Sequence, residues 1–136
     1  MTPDQRALFD RLVDQVVQSL PPQAIDAIER VPVILDDRAT PQMLREFGID
    51  PSASDAHLEV CGLHTGVMDT EMDSESLPTV PSQIHLFREA IADLAGGWGS
   101  PGFENTLLHE IRITLLHEIG HQLGLGEDDL EDLGYD

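Results

Sequence analysis

Apolar residues recur along the first twenty positions at the spacing of one helix face. Phe9, Val13, Val16 and Leu20, with Leu8 and Leu12 beside them, predict an amphipathic helix from about residue 3 to residue 20. Thr2-Pro3-Asp4 marks its start, with a hydroxyl at the cap and proline at the first helical position, where the missing N–H does no harm. Pro21-Pro22 breaks it, and Ile25 and Ile28 predict a short second helix. Val31-Pro32-Val33-Ile34-Leu35 reads as a strand, and its proline confines it to a strand end or a sheet edge. Thr40-Pro41 repeats the capping signature before a short helix through Met43, Leu44 and Phe47 that Gly48 closes.

Leu58 to Leu63 alternates well enough for a strand, whereas residues 67–79 are acidic, Ser-rich and without a period, as in a surface loop. Ile84-His85-Leu86-Phe87 reads as another short strand, a candidate sheet edge for an extended peptide, and residues 88–95 as a helix ended by Gly96-Gly97-Trp98-Gly99. The last long element is a helix from about Pro101 to Leu123, stopped by Gly124. On a wheel of 100° per residue, Leu108, Ile111, Leu115 and Ile119 share one side, and Glu110, Thr114, His117 and His121 share the other. These elements predict an α+β domain: N-terminal helices, a small mixed sheet of three or four strands, and a C-terminal helix packed by its Leu108–Ile119 face.

At 136 residues, 40% of them hydrophobic, the chain is expected to form a single domain over 1–136. Twenty-six acidic residues face seven basic ones, all arginine, for a formal charge of −19. Nucleic-acid and anionic-membrane partners are therefore disfavoured, since both are bound through Lys and Arg. A single cysteine, Cys61, excludes an internal disulfide and any multi-cysteine metal site. With no basic-then-apolar leader and no apolar run of membrane length, the expected setting is soluble and cytoplasmic.

The polar side of the last helix carries His117-Glu118-Ile119-Gly120-His121. Residues four apart lie one turn apart on one face, so both imidazoles can converge on one Zn²⁺ while Glu118 sits beside the metal, within reach of a water there, as general base. By chance the three fixed positions arise with a frequency on the order of 2% in this composition, and a glycine at 124 with an acid at 127 lowers that to a few in ten thousand. A catalytic zinc wants a third protein ligand and an open position. Gly124-Leu125-Gly126 permits a reversal that can return Glu127 to the metal as that ligand, with Asp128 as the competing choice.

Glu110 to His121, with Gly124 and the tail Leu130-Glu131-Asp132-Leu133-Gly134-Tyr135, resembles the small bacterial zincin-like metallopeptidases. Ser19-Leu20-Pro21-Pro22, Gly62-Leu63-x-x-Gly66 and Ile84-His85-Leu86-Phe87-Arg88 add to the likeness, which covers most of the chain. The resemblance implies a minimal zincin-like fold, one zinc per chain and a peptide or protein substrate. The family pattern has Asp where Glu127 stands here. Two other readings compete: a zinc-binding module without turnover that docks a partner, and a non-peptidase hydrolase like the bacterial ribosomal-RNA maturation metalloproteins. Against the last stand Glu118, where those proteins have Gly, and the −19 charge.

Other chemically capable residues have plainer readings. Glu110 and Thr114 either hold an imidazole or are ordinary surface polarity. His57, His64 and His85 lack ligand spacing and read as surface or packing residues. Cys61 reads as a small buried apolar residue, and Tyr135 as terminal packing.

Overall fold

A computed structural model gives the structure of the protein at residues 1–66 and 82–133, without the side chains of Glu127, Leu130 and Leu133. The loop expected at 67–79 and Tyr135 lie outside the described residues. Helix α1 (Pro3–Gln18) opens on a capping box: Thr2 Oγ1 accepts from the Gln5 amide at 3.1 Å, and Gln5 Oε1 accepts from the Thr2 amide at 2.9 Å. Helix α2 (Pro22–Arg30) follows the Pro21-Pro22 break. Pro32 stands just before strand β1 (Val33–Asp36), and its carbonyl accepts from the Ile84 amide at 3.0 Å, so the sheet uses the one backbone group proline can offer. Helix α3 (Pro41–Glu46) is capped by Thr40, whose Oγ1 accepts from the Met43 amide at 3.2 Å. A 3-10 turn (Ala56–Leu58), β2 (Gly62–Thr65), β3 (Gln83–Phe87), α4 (Arg88–Leu94), α5 (Phe103–Gln122) and α6 (Glu127–Leu133) complete the order.

The three strands form a mixed sheet in the order β1-β3-β2, with β3 parallel to β1 and antiparallel to β2. His85 aligns with Ile34 on one side and Leu63 on the other. This corrects the placing of Ile84–Phe87 at a sheet edge: the segment is the central strand, hydrogen-bonded on both sides. Its composition accounts for that, because Ile84, His85, Leu86 and Phe87 are all buried, and only a position covered on both faces hides four consecutive side chains. The strand expected at 58–63 is also shifted. Residues 56–58 take the 3-10 turn, which buries Ala56, and pairing begins only at Gly62.

Helix α5 touches α1, α2 and α4 as well as β2 and β3. Ile111, Leu115 and Ile119 are fully buried and join Phe9, Leu12, Ile84 and Leu86 in the main core. The expected division into one apolar and one solvated face is only half met. Thr114, Glu118 and Gln122 are buried too, because the helix is covered from more than one side. A smaller cluster of Leu44, Ala56, Val60, Phe87 and Ala90 fastens α3 and the 3-10 turn to the sheet, which fixes the segment from Phe47 to Val60. Arg88, at the start of α4, donates to Asp10 at 2.9 and 3.1 Å and to Asp37 at 3.1 Å, while Arg6 donates to Asp37 at 2.8 Å. These ion pairs clasp α1 to the segment after β1. Among the described residues no helix is long and apolar enough to cross a membrane.

Candidate metal centre

The last two turns of α5 bring His117, Glu118 and His121 together. One ligand atom from each lies within 4.8 Å of the others, and the two imidazole centroids are 4.6 Å apart with their planes at 77°. Tetrahedral zinc at 2.0–2.1 Å from nitrogen holds two such nitrogens about 3.3 Å apart, so the donor set fits one ion with small side-chain rotations. Both histidines are half-buried at a cleft, whereas Glu118 is only 7% exposed.

Gly62 explains that burial. A Cβ built there would stand 2.9 Å from Thr114 Cγ2, 3.0 Å from Glu118 Cγ and 3.3 Å from the His85 carbonyl oxygen. The absence of a side chain lets β2 lie directly on α5 and wall in the Glu118 stem. Thr114, read as either an imidazole partner or surface polarity, is buried against that strand.

Two depressions flank the group. One, of about 320 Å³, is walled by Phe47, Ile49, Val60, Cys61 and Ile113, with Glu59 beside them. The other, of about 330 Å³, is bounded by Leu63, His64 and His121. Phe47, Gly62, His117 and Glu118 border both, so His117 and Glu118 form a floor that the two share, and His121 faces the second alone.

His64, which lacked ligand spacing in the sequence, therefore lines the site. Its Nε2 lies 2.5 Å from Oε1 of Gln122, a residue 58 positions away and 1% exposed. A hydrogen bond between residues so far apart leaves no periodic signal in the sequence. His85 is buried as a packing residue stacked on Phe87 with centroids 6.1 Å apart, its Nδ1 without a hydrogen-bond partner among the described residues and 3.8 Å from the Asp36 carboxylate. His57 lies outside the donor group. Burial, and after it the charges of Glu110 and Asp93, push the Cys61 thiol up, so it stays a neutral, half-buried side chain of the cleft wall.

The glycine turn expected after the helix is present. Gly124 adopts φ +76°, its amide donates to His121 O at 3.0 Å, and the Leu125 amide donates to Gly120 O at 2.9 Å, a Schellman closure. The chain turns and α6 begins at Glu127, whose side chain lies outside the described residues. Asp128 is exposed and outside the donor group, and Asp129 accepts from the Gly126 amide at 3.2 Å at the start of α6.

A search of curated proteins returns no match. The profile of the zincin-like metallopeptidases, in contrast, matches residues 28–135, from the end of α2 through the donor group and α6. With that match over most of its length, and with two imidazoles and a glutamate converging on one helix, the chain belongs to the zincin-like metallopeptidase family.

Proposed function

We propose that the protein is a zinc-dependent hydrolase that cleaves peptide bonds, with His117, His121 and Glu127 holding the ion and Glu118 as general base. The observation that carries this reading is the convergence of His117, Glu118 and His121 at a cleft bordered by β2, a terminal strand of the sheet among the described residues. Zinc bound there supplies Lewis acidity, polarising a carbonyl and lowering the pKa of water toward about 7. The two imidazoles fix where that acidity is applied. Glu118, its stem held between α5 and Gly62, presents a carboxylate that accepts a proton as water attacks and returns it to the departing amine nitrogen. An extended peptide laid along β2 would pass over all three side chains, and β-strand addition supplies the main-chain hydrogen bonds that orient it. A purely structural zinc closes with four protein ligands and has no use for a buried carboxylate beside the ion.

The test is to compare the zinc-loaded protein with Glu118→Gln on a diverse peptide library. Glu118→Gln is expected to keep its fold and about one metal per chain while losing at least about a hundredfold in hydrolysis, the lower end of what a positioned base contributes. His117→Ala with His121→Ala should lose the metal. Hydrolysis unchanged in Glu118→Gln would overturn the assignment of the base. A wild type that binds zinc and cleaves nothing in the library would favour the zinc module that docks a partner.

A further inference from the structure

We infer that the depression between Phe47 and Ile113 is a subsite for one bulky apolar side chain of the substrate, next to the bond cut, with Phe47 as its specificity-determining wall. The inference rests on the peptidase reading and adds to it the class of residue selected.

The two depressions that meet at His117 and Glu118 differ in chemistry. The one bounded by Leu63, His64 and His121 offers imidazoles. The other is lined, beyond the His117 and Glu118 that the two share, by Phe47, Ile49, Val60 and Ile113, from three separate parts of the chain, and adds no further imidazole. A substrate side chain on that side of the floor is therefore met by hydrocarbon. The exposed Glu59 at the rim opposes an acidic one.

Phe47 is the unusual member. It is 48% exposed, and among the described residues it and Leu94 are the exposed large hydrophobic side chains. Leu94 lines neither depression, whereas Phe47 borders both. Its backbone is fixed: the Phe47 amide donates to Leu44 O at 3.1 Å, Gly48 takes φ +76° and donates to Arg45 O at 2.9 Å, and the Ile49 amide returns to Leu44 O at 2.9 Å. This second Schellman closure ends α3 and tethers Ile49 in the wall, while Leu44 anchors the turn in the smaller core cluster. A ring held out of the core by an ordered turn, at the mouth of an apolar depression, is pre-organised to close over an incoming side chain. Covering it on binding turns exposed apolar area into binding energy.

The experiment uses zinc-loaded protein and a peptide series varied at single positions among Gly, Leu, Phe, Asp and Lys, with cut bonds located by mass spectrometry. Cuts are expected beside Leu or Phe, with kcat/KM about tenfold to a hundredfold above the Gly peptide, the range given by burying one such side chain. Phe47→Ala should collapse that ratio, and Ile113→Asp should shift selection toward Lys. Retention of the wild-type far-ultraviolet spectrum by each variant establishes that it is folded. Cleavage without side-chain preference, or with a profile unchanged in both variants, would overturn the subsite while leaving the peptidase reading intact. If nothing is cleaved, the peptidase reading fails and binding decides the subsite: amide shifts induced by a Leu or Phe peptide at residues 47–49 and 113 support it, and their absence overturns it. A dimer that Phe47→Ala disrupts, with the cleavage profile unaltered, would assign the ring to an interface between copies instead.

Discussion

A methyl group at position 62 would meet Thr114 Cγ2 at 2.9 Å and Glu118 Cγ at 3.0 Å, closer than packed carbon atoms approach, and neither neighbour is the free end of a long side chain. Gly62→Ala must therefore push β2 off α5 or turn Glu118 aside. The expected cost is about 1–3 kcal/mol, as for other overpacked sites, measured as a fall in the denaturant midpoint. Thr114→Ser removes Cγ2, and in the double variant it should restore part of that loss; strictly additive effects would mean that the two side chains do not share the space. His117, Glu118 and His121 are legible without a structure because spacing on a helix is itself geometry. Gly62, His64 and Phe47 are not, since each owes its role to a neighbour more than fifty positions away in sequence. Only Gly62 carried a hint, as part of a family likeness.

Between elements, the junction of α5 and α6 is where the proposed third ligand would have to come from. The glycine at φ +76° and the Schellman bonds end α5 within a few residues of His121, so an acid in the first turn of α6 is the next carboxylate in sequence. If Glu127 is that ligand, Glu127→Ala should weaken zinc binding on the order of a hundredfold or more, whereas Asp128→Ala should leave it nearly unchanged, both by competition against a chelating dye. The reverse result moves the ligand to Asp128. The clasp between α1 and the segment after β1 makes a pH prediction. The Arg6 hydrogen bond, aided by Arg88, holds the Asp37 carboxyl below its ordinary value despite the opposing effect of burial. Its unfolded pKa is near 3.9, so its stabilisation is complete above about pH 4 and is lost as pH falls through the lower folded value. Asp37→Asn should cost about 1 kcal/mol at neutral pH, the upper range for a partly exposed pair, and should flatten the acid limb of the stability profile. An unchanged acid limb would show that other carboxylates set it. Helix starts at Thr2 and Thr40 were legible because a cap is local. Sheet order was not, because a run such as Ile84–Phe87 looks alike at an edge or a centre until its partners are known.

For the whole molecule, metal binding at the proposed site would be coupled to folding through charge as well as coordination. A formal charge of −19 on 136 residues makes the compact state self-repelling, so any divalent cation or added salt stabilises it by screening. Specific binding must be separated from that background. The donor group sits on α5, which contacts α1, α2, α4 and both β2 and β3, so unfolding of this helix dismantles the core and the site together. Zinc at a hundredfold above its Kd should then stabilise the fold by about 2.7 kcal/mol. For a chain of this size that corresponds to a rise in Tm on the order of 10 °C. Magnesium at equal ionic strength supplies the screening without suiting imidazole donors, and should give only the smaller, non-specific shift. In His117→Ala with His121→Ala the two ions should become equivalent, because screening remains and coordination is gone. Thermal unfolding of both proteins in zinc, magnesium and chelator therefore isolates the specific part. Equal zinc and magnesium shifts in the wild type would mean that the −19 charge, and not the His117–His121 pair, accounts for the whole effect.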